Sequence, residues 1–335
     1  MQYTQSRLTQ WILAIGSVTA MGLFSSNAAL GSTYDITPGS DVVGENQVTQ
    51  ANAGEDLGDV GRRFNIGTYE MIEANPNVNF DHPQNADKIL IPSRRILPPG
   101  PRKGIVINLA EMRIYYYHPN ESKVSTYPIG IGQDGWSTPI GTNRIIRMRK
   151  DPIWVPPDSI RENYEQNGKE LPAQVPAGPN NPLGRYALTT GFENIVIHGS
   201  PWPQGIGVRS SHGCLRMNNA DVEELYSMVK VNTPVRIIHQ AVKIGKSGED
   251  LFLEAHVPVD EQEYTETFTV QQQLQDIMNR YGKEKVSVRW DVVEKLRSKN
   301  HGYPEPFGHI GGVNEAAAIP VNFEGSAGIP PVIVE

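Results

Sequence analysis

The chain has 335 residues, with 32 glycines, 26 prolines and a formal net charge of -7. Hydrophobic residues make up 38% and charged residues 20%, a composition typical of soluble, turn-rich domains that favour β structure. The length predicts two or three domains, and the negative charge without a long basic run excludes nucleic acid as an expected partner.

The first 28 residues have the pattern of a secretory signal peptide. Residues 1–7 are polar, residues 8–24 are mostly apolar, and Ser26-Asn27-Ala28 supplies the small residues of a cleavage site. An uncleaved membrane anchor is the alternative, but the apolar stretch is short for a bilayer span and is interrupted by polar residues. We therefore expect cleavage after Ala28 and export from the cytoplasm.

Residues 34–98 are predicted to form a small unit ahead of the main domain. An apolar helical face over residues 57–64 and a second helix over 68–74, which ends at Asn75-Pro76, precede a strand over 88–92. This order resembles a LysM module, a glycan-binding βααβ unit. A docking domain without glycan affinity is the alternative, because two glycines weaken the first helix.

Residues 104–240 follow a Pro-Pro-Gly-Pro linker and are predicted to be mostly β. Residues 105–109 and 113–117 are typical of a hairpin. Further strand-like stretches cover residues 123–131, 144–149, 186–189, 194–198 and 233–238. One helix is predicted where apolar residues recur at helical spacing over residues 222–229.

Residues 241–335 are predicted to form a smaller C-terminal α+β region. A helix over 270–281, a strand over 286–290 and a short helix over 292–296 precede an extended end that is rich in glycine and proline. The whole chain is thus expected to be mostly β, of the α+β class. No function is predicted for the C-terminal region.

The chain contains one cysteine, Cys214, in the motif Ser211-His212-Gly213-Cys214. A single cysteine in an exported protein cannot form an intramolecular disulfide, which points to a reactive thiol. The alternative is a buried, inert cysteine that packs as a small hydrophobic residue. The adjacent histidine and glycine favour the reactive thiol.

A cysteine nucleophile requires a base for its proton and backbone N–H groups that face the developing oxyanion. His198, at the end of an apolar strand, is the predicted base, and His212 is expected to orient it or share its proton. Gly213 permits a tight turn whose N–H groups form the oxyanion hole. The helix after Cys214 is expected to favour the thiolate through its dipole.

Two other kinds of site compete with this hypothesis. A zinc site built from His198, His212 and Cys214 lacks the short ligand pairs, such as Cys-x-x-Cys, that zinc proteins usually carry. A papain-like hydrolase has its cysteine before its histidine in the chain, whereas here the histidine comes first. We therefore assign no metal ligands.

Three motifs in residues 104–240 read Ile197-His198-Gly199, Ser211-His212-Gly213-Cys214-Leu215-Arg216-Met217 and Ser137-Thr138-Pro139-Ile140-Gly141. Together they resemble the signature of the YkuD-type L,D-transpeptidases, in particular the Gram-negative, lipoprotein-anchoring ErfK, YbiS and YcfS type. The resemblance covers residues 34–240. It implies a β-sandwich-like catalytic domain at 104–240, preceded by the LysM-like domain at 34–98 and followed by the region at 241–335.

The resemblance also implies roles for individual residues. Cys214 is the implied nucleophile, with His198 and His212 as its catalytic partners. Ser211, Gly213 and Gly199 are implied to support the oxyanion region. Arg216 and Tyr186 are the implied substrate-binding residues, with loop bracing and core packing as their respective alternatives.

The implied reaction takes place in the periplasm on peptidoglycan stem tetrapeptides, through a thioester on Cys214 and without a metal or organic cofactor. The favoured acceptor is a lysine of an envelope protein, such as an outer-membrane lipoprotein, which would be joined to meso-diaminopimelate. A second stem peptide would give a 3→3 cross-link, and water would give L,D-carboxypeptidase activity. A peptidoglycan-binding protein without catalytic activity is the remaining alternative.

Overall fold

The computed structural model describes residues 31–86, 88–259, 264–281 and 286–310, and the backbone of 319–320. The predicted signal peptide lies outside these residues. The strands are β1 (Ser32–Asp35), β2 (Val42–Val43), β3 (Gln47–Thr49), β4 (Ile89–Ile91), β5 (Arg95–Ile96), β6 (Gly104–Asn108), β7 (Arg113–Tyr117), β8 (Lys123–Pro128), β9 (Ile131–Gly132), β10 (Gly141–Lys150), β11 (Tyr186–Thr190), β12 (Val196–Ser200), β13 (Arg209–Ser211), β14 (Leu215–Asn218), β15 (Pro234–Ile238), β16 (Val242–Ser247), β17 (Asp250–Ala255), β18 (Val286–Val288), β19 (Glu305–Ile310) and β20 (Ile319–Pro320). The helices are α1 (Leu57–Arg63), α2 (Thr68–Ala74), α3 (Asp158–Gln166), α4 (Asn219–Met228), α5 (Val270–Tyr281) and α6 (Trp290–Lys299).

The largest sheet has nine strands in the order β1-β8-β7-β6-β15-β10-β11-β12-β14. The predicted hairpin is confirmed, because β6 and β7 pair antiparallel with Ile105 opposite Tyr116. In addition, β15 pairs in parallel with β6, and β12 pairs in parallel with β14. The main apolar core lies against this sheet and includes Leu225 of α4, which packs over β11, β12 and β14.

Strands predominate over helices, so the predicted mostly β, α+β class is confirmed. The strand predicted over residues 123–131 is broken, because β8 ends at Pro128 and β9 begins at Ile131. The Ile129 N–H between them donates to the carbonyl of Met112 at 2.8 Å. The helices in the described part of the chain are all too short or too polar to span a bilayer.

Residues 47–91 have the predicted βααβ order, since β3 and β4 pair antiparallel and flank α1 and α2. Asp56 caps α1 through a capping box with Asp59. A Cβ on Gly61 would come within 2.7 Å of Met71 on α2. The glycine that weakens α1 locally therefore lets the two helices pack closely. Glycan binding by this unit stays a prediction.

The βααβ unit is packed against the large sheet through a buried carboxylate. Glu70 on α2 accepts hydrogen bonds from Arg95 at 2.8 Å and from Arg113 of β7 at 2.6 Å. Burial would raise the pKa of Glu70, but the two guanidinium groups lower it to about 2. The Tyr69 N–H on the same helix donates to the Gly207 carbonyl at 3.0 Å, which ties α2 to the connection between β12 and β13.

The C-terminal region forms a five-stranded sheet in the order β16-β17-β19-β18-β20. Its own apolar core contains Leu274 and Ile277 of α5 and Val293 of α6. The helix predicted over residues 270–281 is confirmed as α5. The strand predicted over 286–290 is shorter than expected, because α6 begins at Trp290.

Candidate active site

Because β12 pairs in parallel with β14, His198 lies opposite Arg216. Arg216 follows Cys214 closely in the chain, so the pairing brings His198 near the cysteine. The Cys214 turn (residues 211–214) connects β13 to β14. Gly213 has a φ of 92°, in the left-handed region that glycine adopts without steric cost. Ser211 Oγ donates to the Cys214 carbonyl at 2.5 Å, so its side chain closes the turn.

Cys214 is half-buried, and its thiol donates to the carbonyl of Asn194 at 3.3 Å. Burial raises the pKa of the thiol, although Arg216 acts in the opposite direction, and the resting thiol is therefore neutral. The prediction that a helix dipole favours the Cys214 thiolate is wrong. β14 lies between Cys214 and α4, which begins at Asn219, and a helix dipole acts only near its first turn.

His198 is held in one tautomer by the backbone. Its Nδ1 lies 2.6 Å from the Gly199 carbonyl oxygen. Because a carbonyl only accepts, Nδ1 carries the proton and Nε2 is the basic nitrogen. Burial, assisted by the charge of Arg216, lowers the pKa of His198 to about 4. The imidazole is therefore neutral at neutral pH and can accept a proton.

The contacts that Gly199 and His212 make match their predicted roles only in part. A Cβ on Gly199 would come within 2.2 Å of the Asn219 side chain, so glycine is required for packing, while its carbonyl orients His198. His212 packs edge-on against Trp136, with ring centroids 4.5 Å apart. In the described part of the chain His212 makes no hydrogen bond with His198, and burial lowers its pKa.

His198, His212 and Cys214 open onto one cavity of about 230 Å³. Ser211 and Arg216 line it as well. The remaining lining residues are Trp154, Ile160, Tyr164, Leu171, Val175, Asn180, Pro182, Leu183 and Trp202. The cavity therefore combines a thiol, a basic imidazole and a cation with mostly apolar walls.

Most of these walls belong to the flap, defined as residues 151–185 between β10 and β11. The flap contains α3, and Trp154 and Val175 pair across it through backbone hydrogen bonds of 2.8 and 2.9 Å. No residue of the flap was predicted to belong to the site. Its signal was the density of proline, glycine and asparagine in residues 176–184, which indicates an irregular loop rather than a strand.

Arg216 brings a guanidinium group to the cavity. Its Nη1 donates to Ser210 Oγ at 3.2 Å, and burial lowers its pKa. Among the described residues it has no carboxylate partner. The position suits both predicted roles, because one contact braces the loop while the charge can still meet an anionic substrate group.

Tyr186 does not line this cavity. Its hydroxyl donates to Glu223 at 2.6 Å, and its ring packs beside Tyr226 with centroids 4.8 Å apart. The structure therefore gives it the core-packing position that was the alternative to substrate binding.

The geometry of a zinc site is not met by the three candidate ligands. In the described part of the chain, the group of histidine, cysteine and acidic side chains that comes close enough to hold a metal ion is Glu111, Glu254 and His256. His198, His212 and Cys214 do not form such a group.

Known proteins share this domain. A family model described as the L,D-transpeptidase catalytic domain (YkuD) matches residues 102–237. The chain is 40% identical over 243 residues to the probable L,D-transpeptidase ErfK/SrfK of Escherichia coli K12, covering 71% of this chain and 78% of that relative. The chain belongs to the L,D-transpeptidase family. This confirms the membership that the motifs predicted.

Other L,D-transpeptidases are similar to the chain to different extents. The probable L,D-transpeptidase YcfS of E. coli K12 is 37% identical over 264 residues, covering 77% of this chain and 82% of the relative. The solved catalytic domain of the E. faecium L,D-transpeptidase is 23% identical with a TM-score of 0.31, covering 40% of this chain and 95% of that one.

We expect the Asn181→Ala variant to loosen the flap. Asn181 is buried, its Nδ2 donates to the carbonyls of Pro152 and Pro176 at 2.8 and 3.0 Å, and its Oδ1 accepts from Leu183 N–H. Loss of these bonds should destabilise the flap locally by roughly 2–3 kcal/mol. Limited proteolysis should then cut within residues 151–185.

The matched control is Asn167→Ala, which removes an exposed hydrogen bond to Asn163 on the same flap. Its cleavage rate should equal that of the wild type. Equal rates for Asn181→Ala and the wild type would contradict the proposed anchoring by Asn181.

Proposed function

We propose that this chain is a cysteine L,D-transpeptidase that forms a thioester on Cys214 with a peptidoglycan stem tetrapeptide and transfers the acyl group to an amine. The observation that supports this proposal is that His198 and Cys214 line one cavity while the Gly199 carbonyl holds Nδ1 of His198. A neutral imidazole with a basic Nε2 near a neutral thiol is the arrangement that general-base activation of a cysteine requires.

In the first half-reaction, the thiol leaves the Asn194 carbonyl and passes its proton to Nε2 of His198 as Sγ attacks the carbonyl carbon of the third stem residue, meso-diaminopimelate. N–H groups of the Cys214 turn stabilise the negative charge on the carbonyl oxygen. The intermediate collapses, and the C–N bond to D-alanine breaks. The departing amine takes the proton from His198, which leaves a thioester on Cys214.

In the second half-reaction, an acceptor amine attacks the thioester carbonyl and gives its proton to His198. The C–S bond breaks, the thiolate recovers that proton, and an amide bond to the acceptor remains. We infer that the acceptor is a lysine side chain of an envelope protein. The support is the similarity to the E. coli proteins ErfK/SrfK and YcfS, which are of the type that the motifs resemble.

Other residues have supporting roles in this proposal. Arg216 binds a carboxylate of the stem peptide, because the cavity offers its guanidinium no other anionic partner among the described residues. Ser211 and Gly213 hold the shape of the turn, and His212 forms part of the cavity wall against Trp136. The proposed location is the periplasm, where peptidoglycan stem peptides are accessible.

The proposal is tested by incubating the full-length mature chain with a disaccharide tetrapeptide and a peptide that contains one lysine. We expect release of free D-alanine, a transient mass increase on Cys214 and an amide-linked product of the two peptides. A product between two stem peptides would instead assign 3→3 cross-linking, and a free tripeptide would assign carboxypeptidase activity. A folded chain that releases no D-alanine overturns the proposal in favour of a binding protein without catalytic activity.

The pH dependence of acylation should follow the depressed pKa of His198. Protonation of the base abolishes proton transfer, so the rate should fall as the pH drops through about 4, rather than near the ordinary histidine value of 6.5. The carboxylates of Glu70 and Glu254, with pKa values near 2, stay charged at this pH. The low pKa values of buried His198 and His239 make the folded state less stable as the pH falls from 6.5 towards 4, so circular dichroism at each pH must show that the chain is folded. The measurement is the acylation rate of Cys214 by a carbapenem as a function of pH.

The control for this prediction is His198→Gln, which should react slowly and lose the acidic limb. An inflection near pH 6.5 in the wild type would show that another group is the base.

A further inference from the structure

Through its hydroxyl, Thr138 connects the Cys214 turn to the loop between β9 and β10, residues 133–140. This residue is 1% exposed and lies just before β10. Its Oγ1 donates to the carbonyl of Gly213 at 2.9 Å and accepts from the Gly132 N–H at 3.3 Å. A Cβ on Gly213 would lie 3.4 Å from the Ser137 carbonyl oxygen, so this loop packs directly against the turn.

Thr138 is itself held by a residue of the C-terminal region. The hydroxyl of Tyr264 accepts from the Thr138 N–H and donates to the Thr138 carbonyl, both at 3.0 Å. Tyr264 is 8% exposed and stacks on His239, with ring centroids 5.4 Å apart and planes 14° apart. One side chain therefore satisfies both backbone polar groups of Thr138, and a rigid aromatic stack supports it.

Val259, which precedes Tyr264 in the chain, contacts the strand that enters the Cys214 turn. Arg209, on the strand that leads into the Cys214 turn, donates from Nη1 to the carbonyl of Val259 at 3.0 Å. The Val259 N–H in turn donates to Nε2 of His239 at 3.2 Å. Residues on either side of 260–263 thus contact both β13 and the loop that supports Gly213.

We propose that Thr138 and Tyr264 are positioning residues that orient the peptide group between Gly213 and Cys214 for oxyanion binding, an inference that rests on the proposed function. This peptide group is planar, so its C=O and its N–H point in opposite directions. A hydrogen bond that holds the Gly213 carbonyl on Thr138 therefore also fixes the direction of the Cys214 N–H. In the described part of the chain that N–H has no backbone acceptor, which leaves it available to an oxyanion.

This assignment gives the C-terminal region a task in the reaction. Tyr264 touches neither Cys214 nor the cavity, and its effect passes through Thr138 to the turn. Oxyanion donors lose much of their effect when they are displaced by as little as about 1 Å. A contact that fixes the orientation of the Cys214 N–H thus affects the rate of acylation without contributing to substrate binding.

The test compares two reactions of the same thiol in the full-length mature protein. Acylation by a carbapenem builds negative charge on a carbonyl oxygen and needs the oxyanion donor, whereas alkylation by iodoacetamide displaces iodide at a carbon and does not. We expect Thr138→Val to lower the acylation rate about 10²-fold and Tyr264→Phe to lower it about tenfold. The alkylation rate and the KM of the tetrapeptide should match those of the wild type.

Three further variants make the test specific. Thr138→Ser keeps the hydroxyl and should restore most of the acylation rate. Tyr116→Phe removes a tyrosine hydroxyl that donates to the Met228 carbonyl at 3.0 Å in the same core, and it should leave acylation unchanged. The double variant Thr138→Val with Tyr264→Phe should be no slower than Thr138→Val alone, because both residues act through one contact.

The inference is overturned if Thr138→Val acylates at the wild-type rate, or if acylation and alkylation fall together. If Thr138→Val does not fold, the comparison of Tyr264→Phe with Tyr116→Phe decides, and equal acylation rates overturn the inference. A wild-type chain that is alkylated but not acylated would instead contradict the proposed function itself.

Discussion

The Cys214→Ala variant is expected to gain no mass on incubation with a carbapenem, whereas the wild-type chain gains the mass of one inhibitor molecule. A carbapenem is a strained cyclic amide, and attack by Sγ opens its ring without releasing a leaving group, so the whole inhibitor stays attached. Cys214 is the one cysteine of the chain, and it shares a cavity with a neutral His198. Intact-mass spectrometry measures the adduct directly.

Transfer to an amine should fall together with the adduct. Removal of a covalent nucleophile removes the acyl-enzyme pathway as a whole, which costs on the order of 10⁶-fold in serine hydrolases. The alanine side chain keeps the turn, because Ser211 Oγ bonds the backbone carbonyl of residue 214 and not its side chain. The variant should therefore fold with the wild-type melting temperature.

The companion variant is His198→Gln, which retains the thiol and loses the base. It should form the same adduct more slowly, by roughly 10²- to 10⁴-fold. An adduct on Cys214→Ala would place the nucleophile on another residue and contradict the assignment. A wild-type rate in His198→Gln would remove His198 from the mechanism.

The Lys243→Met variant is expected to lower the free energy of unfolding by roughly 3–5 kcal/mol, the cost of breaking a buried ion pair. Lys243 is fully buried, and its ammonium group lies 2.8 Å from carboxylate oxygens of both Glu111 and Glu254. It also donates to the Ile96 carbonyl at 2.6 Å. Methionine fills the space but leaves two buried carboxylates without their shared cation.

The charges around Lys243 increase the destabilisation expected when its ammonium group is removed. Burial would raise the pKa of Glu254, but Lys243 and His256 lower it to about 2. Burial would lower the pKa of His256, but Glu73 and Glu254 raise it to about 10. Glu254 and His256 are therefore both charged at neutral pH. The network joins α2, the large sheet and the C-terminal sheet.

Denaturant unfolding of the full-length chain measures the effect. The control is Lys123→Met, which breaks an exposed ion pair with Glu121 at 3.1 Å and should change the free energy of unfolding by less than about 1 kcal/mol. Equal stabilities of Lys243→Met and Lys123→Met would contradict the proposed contribution of the network. A loss of cooperativity in Lys243→Met alone would show the C-terminal sheet separating from the rest.

Local patterns predicted the secondary structure well where the pattern was long. The alternating residues of β6 and β7 and the helical face of α5 were predicted with bounds close to those observed. A local pattern could not show why a residue with a local cost is present when the reason lies in another segment. Gly61 weakens α1 as a single residue, yet it is needed where Met71 approaches from α2.

The residues of the candidate site also differ in how far the sequence could predict them. The sequence predicted that Cys214, His198 and His212 belong to one site, because residue type limits which side chains attack a carbonyl or accept a proton, and the structure places all three on one cavity. Tyr186 could not be judged, because a tyrosine on a strand fits both a cavity wall and a core. Thr138 stands in one of the quoted motifs and the flap is rich in proline and glycine, but neither pattern, nor Tyr264, shows which residues they contact, since those contacts join residues far apart in the chain.

The sequence by itself determined the family to which the chain belongs and the residues that are candidates for nucleophile and base, because both depend on residue types in short motifs. Only the tertiary structure decided how those residues are held. The tautomer of His198, the neutral state of the Cys214 thiol and the support of the turn by Tyr264 all arise from burial and from hydrogen bonds. These forces depend on which distant segments pack together, and no local pattern of residues records that packing.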